Sequence, residues 1–245
     1  MLTYVALLRG VNVSGHNIIN KDKLKLSFEN VGCCNVKTYI QSGNLVFDLP
    51  SEKTRDEIVL AIRKSLKRYL ANDIDMLVFT ASEWKSVVTN SPFARKSGTE
   101  DSKSALKVAK KGKKGAVTVK TEYFTFLCSG EHNLCNMSLD EGLSSASGVN
   151  GSVSGRGAEA ASRLAARVAT VATELDPSTN DQCAVHLPGV IAYVPVVYIR
   201  APRGCLESPF MAKSFVDKYS GVNATSRNLD TVLTLLSMVE EEHSA

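Results

Sequence analysis

The sequence predicts an α+β protein, a ferredoxin-like βαββαβ N-terminal half followed by a second, degenerate α+β half. Short apolar runs of strand length alternate with stretches whose apolar residues recur at helical spacing. Two of these runs, Val36–Ile40 and Leu45–Phe47, are separated by Gln41-Ser42-Gly43-Asn44, whose Gly and Asn fit a hairpin turn. The resulting element order in the first part of the chain is β-α-β-β-α-β, the split βαβ unit.

Each element has its own signal. Residues 3–9 read as a strand whose apolar run, Tyr4–Leu8, stops at Arg9-Gly10. Residues 21–31 read as a helix with Leu24, Phe28 and Val31 on one face. After the two strands of the hairpin, Ser51 is the expected N-cap, with Glu52 in the first turn. The helix it opens carries Ile58, Ile62, Leu66 and Tyr69. Met76–Phe79 is a strand and Ser82–Val88 a short helix.

The second half is less regular. Phe124–Leu127 is a short strand, and Leu164, Val168, Val171 and Leu175 mark an amphipathic helix. Val190–Ile199 is β-rich with Pro195 inside it, which reads as an edge strand or a break. Phe210–Tyr219 is helical, and Leu229–Val239 closes the chain as a helix burying Val232, Leu236 and Val239. The expected organisation is a domain over 1–94, a Lys-rich linker over 95–122, and a second domain over 123–245. The last contains a Ser/Gly-rich, disordered insertion near 142–157. No repeat is visible by sequence identity.

Composition bounds the function. With 44% apolar and 22% charged residues, the chain has the make-up of an ordinary globular protein. No apolar run approaches the ~20 residues that span a bilayer, and a secretory signal is not expected, since no basic region followed by a long apolar stretch is seen near residue 1. The expected compartment is the cytosol, with no membrane partner. Six cysteines include no CxxC pair, so neither a zinc site nor a redox motif is expected. The net charge of +4 is mild, but Lys96, Lys103, Lys107, Lys110, Lys111, Lys113, Lys114 and Lys120 lie close together. That stretch reads as a solvated linker, or else as an arm for nucleic acid.

The candidate site follows from topology. Strand one and strand two run the same way, so the end of strand one shares a sheet edge with the turn after strand two. The Arg9–Asn17 loop and the Gln41–Asn44 turn should therefore meet. Arg9, Gly10, Asn12, Gly15, Asn17, Gln41, Ser42 and Asn44, with Arg227 and Asn228 from the second half, are the candidate ligand-binding residues. One reading is a pocket for a small anionic or nucleotide-like ligand, with arginine forks and glycine-loop N–H groups facing it. The other is that the amides bond backbone groups and staple the loops. Thr225 or Ser226 is read as a cap for the last helix. No GxSxG elbow, HExxH or P-loop is present, no metal set has ligand spacing, and no cofactor is expected. His16 is the one acid–base candidate, for an enzyme of unrecognised class. A nucleic-acid-binding sheet aided by the lysine stretch is the remaining alternative, although Tyr39 and Phe47 lie outside any RNP-like motif.

Leu7–Val13, Gly15-His16-Asn17, Thr38–Phe47 and Thr225–Asn228 resemble the bacterial domain of unknown function family 1697. The resemblance covers roughly residues 1–93, Phe124–Glu131 and 190–240. It implies an α+β protein of two similar halves and carries over no activity, cofactor or catalytic residue. One departure stands out: where the family has a glycine-rich turn followed by Ser-Lys, this chain reads Gly204 to Ser208-Pro209.

Overall fold

The computed structural model describes residues 1–13, 15–50, 53–93, 122–128, 156–175, 177–189, 191–212 and 215–242. Its first part has the expected order: β1 (Leu2–Leu8), α1 (Lys21–Glu29), β2 (Cys34–Tyr39), β3 (Asn44–Leu49), α2 (Arg55–Leu66), β4 (Met76–Thr80) and α3 (Ala81–Thr89). The strands form one antiparallel sheet in the order β2-β3-β1-β4. Tyr4, Ala6 and Leu8, alternating along β1, join Leu24 and Phe28 of α1 and Ile58 and Ile62 of α2 in one core. Phe47 of β3 stacks on Tyr4 and meets the edge of Phe28. Burying each such side chain contributes about 1.5–3 kcal/mol.

Local chemistry sets the helix ends. Asn20 caps α1 by accepting from the Lys23 N–H at 2.8 Å. The cap of α2 is Thr54, not Ser51, which lies outside the described residues. Thr54 and Glu57 bond reciprocally as a capping box, a stronger start signal than a lone serine. Tyr69, expected on α2, lies past its end but still packs on the core. Thr80 and Glu83 form a second such box at the start of α3. Arg55 Nη2 donates to both carboxylate oxygens of Glu83 at 2.7 Å, tying α2 to α3.

The later part contains β5 (Glu122–Cys128), α4 (Arg156–Glu174), β6 (Gln182–His186), β7 (Val196–Arg200), α5 (Phe215–Ser220), β8 (Asn223–Asn228) and α6 (Leu229–Glu242). Several expectations are corrected. The helix marked by Leu164, Val168 and Val171 begins at Arg156, inside the stretch read as a Ser/Gly-rich insertion. The remainder of that stretch and nearly all of the Lys-rich linker lie outside the described residues. Of the two readings of Pro195, the break holds and the edge strand does not. Pro195 stops just short of β7, which is interior, between β6 and β5. Phe210 belongs to a 3₁₀ turn, Pro209–Met211, and the helix proper starts at Phe215. In α6 it is Leu235, not Leu236, that is fully buried beside Val232 and Val239. Strands β6 and β8 were not expected. Thr225 and Ser226 lie within β8 rather than capping a helix.

The second sheet is again antiparallel, in the order β6-β7-β5-β8. Helices aside, it repeats the first sheet strand for strand. The Leu8 N–H donates to the Gly43 carbonyl at 2.8 Å, and at the equivalent place the Leu127 N–H donates to the Pro195 carbonyl at 3.3 Å. Aligning the registers on that bond sets Arg9 against Cys128, Asn44 against Val196, Phe79 against Arg227 and Thr80 against Asn228. The chain divides into two units, residues 1–85 with 235–245, and residues 86–234, so the divisions fall inside α3 and α6.

Candidate functional site

The β1 strand ends against two other segments of the first unit. The Arg9 N–H donates to the Asp75 carbonyl at 2.9 Å, just ahead of β4. The Arg9 guanidinium pairs with the Asp75 carboxylate at 3.9 Å, longer than a hydrogen bond, and its side chain is 35% exposed. The chain then turns through four left-handed residues, Gly10, Asn12, Gly15 and Asn17. Asparagine tolerates that backbone region better than other side-chain-bearing residues because its amide can bond locally.

Those amides hold the loop. Asn12 Nδ2 donates to the carbonyls of Ile19 and Gln41, at 2.9 Å each, and Asn12 Oδ1 accepts from the Ile19 N–H at 2.8 Å. One side chain therefore closes the loop on itself and fastens it to the turn after β2. Asn17 Nδ2 donates to the Gly10 carbonyl at 3.2 Å, and Asn72 Nδ2 reaches Asn17 Oδ1 at 3.4 Å. The Arg9–Asn17 loop and the Gln41–Asn44 turn meet at one sheet edge, as the strand directions require.

The turn is held as closely. Gly43 has a φ of 72°, and a Cβ there would lie 2.7 Å from the Leu8 Cβ, so only glycine lets the turn close on β1. Asn44 is fully buried and donates to the Tyr39 carbonyl and to Ser42 Oγ. Ile40 is left-handed at φ 50° and exposed, an unusual state for a β-branched residue. Gln41 and His16 are exposed, while Ser42 and Asn17 are half-buried. Asn72 and Asp75, which complete this edge, were missed by sequence reasoning. The antiparallel pairing of β4 with β1 is the signal that could have found them, since the start of β4 must lie beside the end of β1.

Arg227 and Asn228 belong to the second unit. Arg227 is buried in β8, where Nη1 donates to Thr225 Oγ1 at 2.7 Å and to the Ser226 carbonyl at 2.9 Å. Burial lowers its pKa to about 10. Asn228 caps α6 by accepting from the Thr231 N–H at 3.0 Å. Among the described residues no group of three or more His, Cys, Asp or Glu is placed to hold a metal ion. Among them, too, no helix is long and apolar enough to cross a membrane.

A search of curated proteins finds none that matches the chain. Among solved structures, the chain is similar to a conserved bacterial protein from Streptococcus pneumoniae, at 15% identity and a TM-score of 0.50. The match covers 97% of this chain and 98% of that one, and at such identity it speaks for the fold alone. The model of the family described as "Protein of unknown function (DUF1697)" matches residues 1–124. The order of motifs that begins at Leu7-Leu8-Arg9-Gly10 and the architecture built on it thus have a family, and the chain belongs to DUF1697.

Proposed function

We propose that the protein is a cytosolic binding protein that takes a small anionic ligand, phosphorylated or nucleotide-like, at the edge formed by the Arg9–Asn17 loop and the Gln41–Asn44 turn. The observation that carries this reading is the pair of hydrogen bonds that the Asn12 amide donates to the Ile19 and Gln41 carbonyls, which fixes two glycine-bearing segments beside Arg9 before any ligand arrives. A preset rim loses little conformational entropy on binding. The Arg9–Asp75 contact at 3.9 Å is an ion pair that an incoming anion can exchange for a bidentate one. In this reading Asn12, Asn17 and Asn44 shape the site, and Arg9 with Ser42 and Gln41 meets the ligand.

A melting-temperature screen of nucleotides and phosphorylated metabolites on wild type and Arg9→Ala tests it. A ligand at 100 times its Kd stabilises by about 2.7 kcal/mol, worth roughly 5–10 °C in a chain of this size. Stabilisation should appear in wild type and vanish in Arg9→Ala. No hit in wild type, or the same hits in both, removes the proposal.

A further inference from the structure

In the second unit, α4 and the end of α5 bring three cations to one place. Arg163 and Arg167 stand one turn apart on α4, and the end of α5 brings Lys218 and Tyr219 beside them. The Arg167 guanidinium lies 5.0 Å from the centre of the Tyr219 ring and the Lys218 ammonium 5.1 Å. Arg163 Nη2 donates to the Ser220 carbonyl at 2.7 Å, holding the end of α5 to α4. Arg9, Arg55, Arg63 and Arg203 each have a carboxylate partner. Among the described residues, Arg163, Arg167 and Lys218 have none. The Arg167 Nε–H is moreover buried with no acceptor among the described residues.

We propose that Arg163, Arg167 and Lys218 form a binding site for a phosphate group, separate from the Arg9 edge and in the other unit. Guanidinium forks match phosphate oxygens in pairs, and a doubly charged phosphate suits a three-cation cluster better than a single carboxylate does. With two cations already over its ring, Tyr219 is no platform for a stacked base. Recognition here is by charge, and the ligand is either a free phosphorylated molecule or the backbone of a single-stranded nucleic acid. Tyr219 reports on the site. Arg167, by hydrogen bonding to the hydroxyl and then by its charge, holds the phenol below its ordinary value, and Lys218 acts in the same direction. An anion that engages both cations lets the phenol titrate higher.

The test uses the full chain and two probes, inorganic phosphate and a labelled single-stranded oligonucleotide. Saturating phosphate should move the Tyr219 titration, read as the absorbance difference between wild type and Tyr219→Phe, to higher pH. R167Q/K218Q, which spares the Arg163–Ser220 bond and should melt like wild type, should bind its probe about tenfold or more weakly. For the oligonucleotide, three phosphate contacts give a log–log salt slope near −2, and losing two cations should reduce its magnitude by about 1.4. A response with phosphate alone assigns a free phosphorylated ligand, and one with the oligonucleotide assigns a strand backbone. Unchanged affinity of R167Q/K218Q for both probes, or no binding of either by wild type, overturns the proposal. So does oligonucleotide binding that survives R167Q/K218Q but is lost when Lys103–Lys120 are neutralised, if phosphate also gives no response.

Discussion

Replacing Gly43 by alanine tests how the first unit holds its candidate edge. Two separate costs are incurred. A residue with a Cβ held at φ 72° is strained by about 1–2 kcal/mol. The new methyl would also lie 2.7 Å from the Leu8 Cβ and 3.2 Å from the Leu8 carbonyl oxygen, atoms of a buried central strand rather than the end of a flexible side chain. Overpacking of that kind costs about 1–3 kcal/mol. The sum, about 3 kcal/mol, corresponds to a melting temperature lower by roughly 6–12 °C. Gly15→Ala provides the control, because Gly15 has a similar φ of 79° but nothing within 4 Å of its Cβ position. It should lose only the backbone strain, about 1–2 kcal/mol. Urea denaturation of both variants beside wild type gives the two numbers. If Gly43→Ala falls within ~0.5 kcal/mol of Gly15→Ala, the close approach of turn to strand is not a constraint and the argument fails.

Asn12→Ala removes two donated bonds and one accepted bond and places alanine in a left-handed conformation. It should cost about 2–4 kcal/mol by chemical denaturation, with the loss concentrated in the first unit. Ile40→Asn should act the other way, raising stability by about 1 kcal/mol, because the exposed isoleucine gives up little packing and asparagine tolerates φ 50°. The Asp73 carboxyl is held below its ordinary 3.8, foremost by the hydrogen bond from Arg63. A lowered carboxylate contributes stability that is complete above pH 3.8 and is lost as pH falls below it. Asp73→Asn should therefore flatten the acid limb of the stability–pH curve while leaving its shape near neutrality unchanged.

The legible parts of this chain are those where local pattern and tertiary demand agree. β1, β3 and β4 announce themselves because each is an apolar run, and the meeting of loop and turn follows from strand direction alone. β8 is illegible for the opposite reason. Asn223-Ala224-Thr225-Ser226-Arg227-Asn228 carries no strand pattern, yet pairing with β5 makes it one, with a Thr125–Ser226 hydroxyl bond of 2.7 Å across the ladder. The internal repeat is hidden in the same way. Where the first sheet puts Phe79 the second buries Arg227, and where the first turn needs Asn44 the second uses Val196. Backbone geometry is kept while side-chain chemistry is exchanged, so identity cannot reveal it. The roles of Asn12 and Asn44 were undecided between ligand contact and loop staple because both uses need the same amide; only the bond partners show that the staples are made.

That residues 235–245 count with residues 1–85 as one unit bears on how the protein is made. A nascent chain that has just released its first sheet from the ribosome still lacks a piece of that unit, which is synthesised only after the second sheet. The first unit therefore waits, unfinished, while the second is translated. Fragments cut between the two sheets would inherit the same deficit, so the natural boundary of a stable piece is not a point along the sequence.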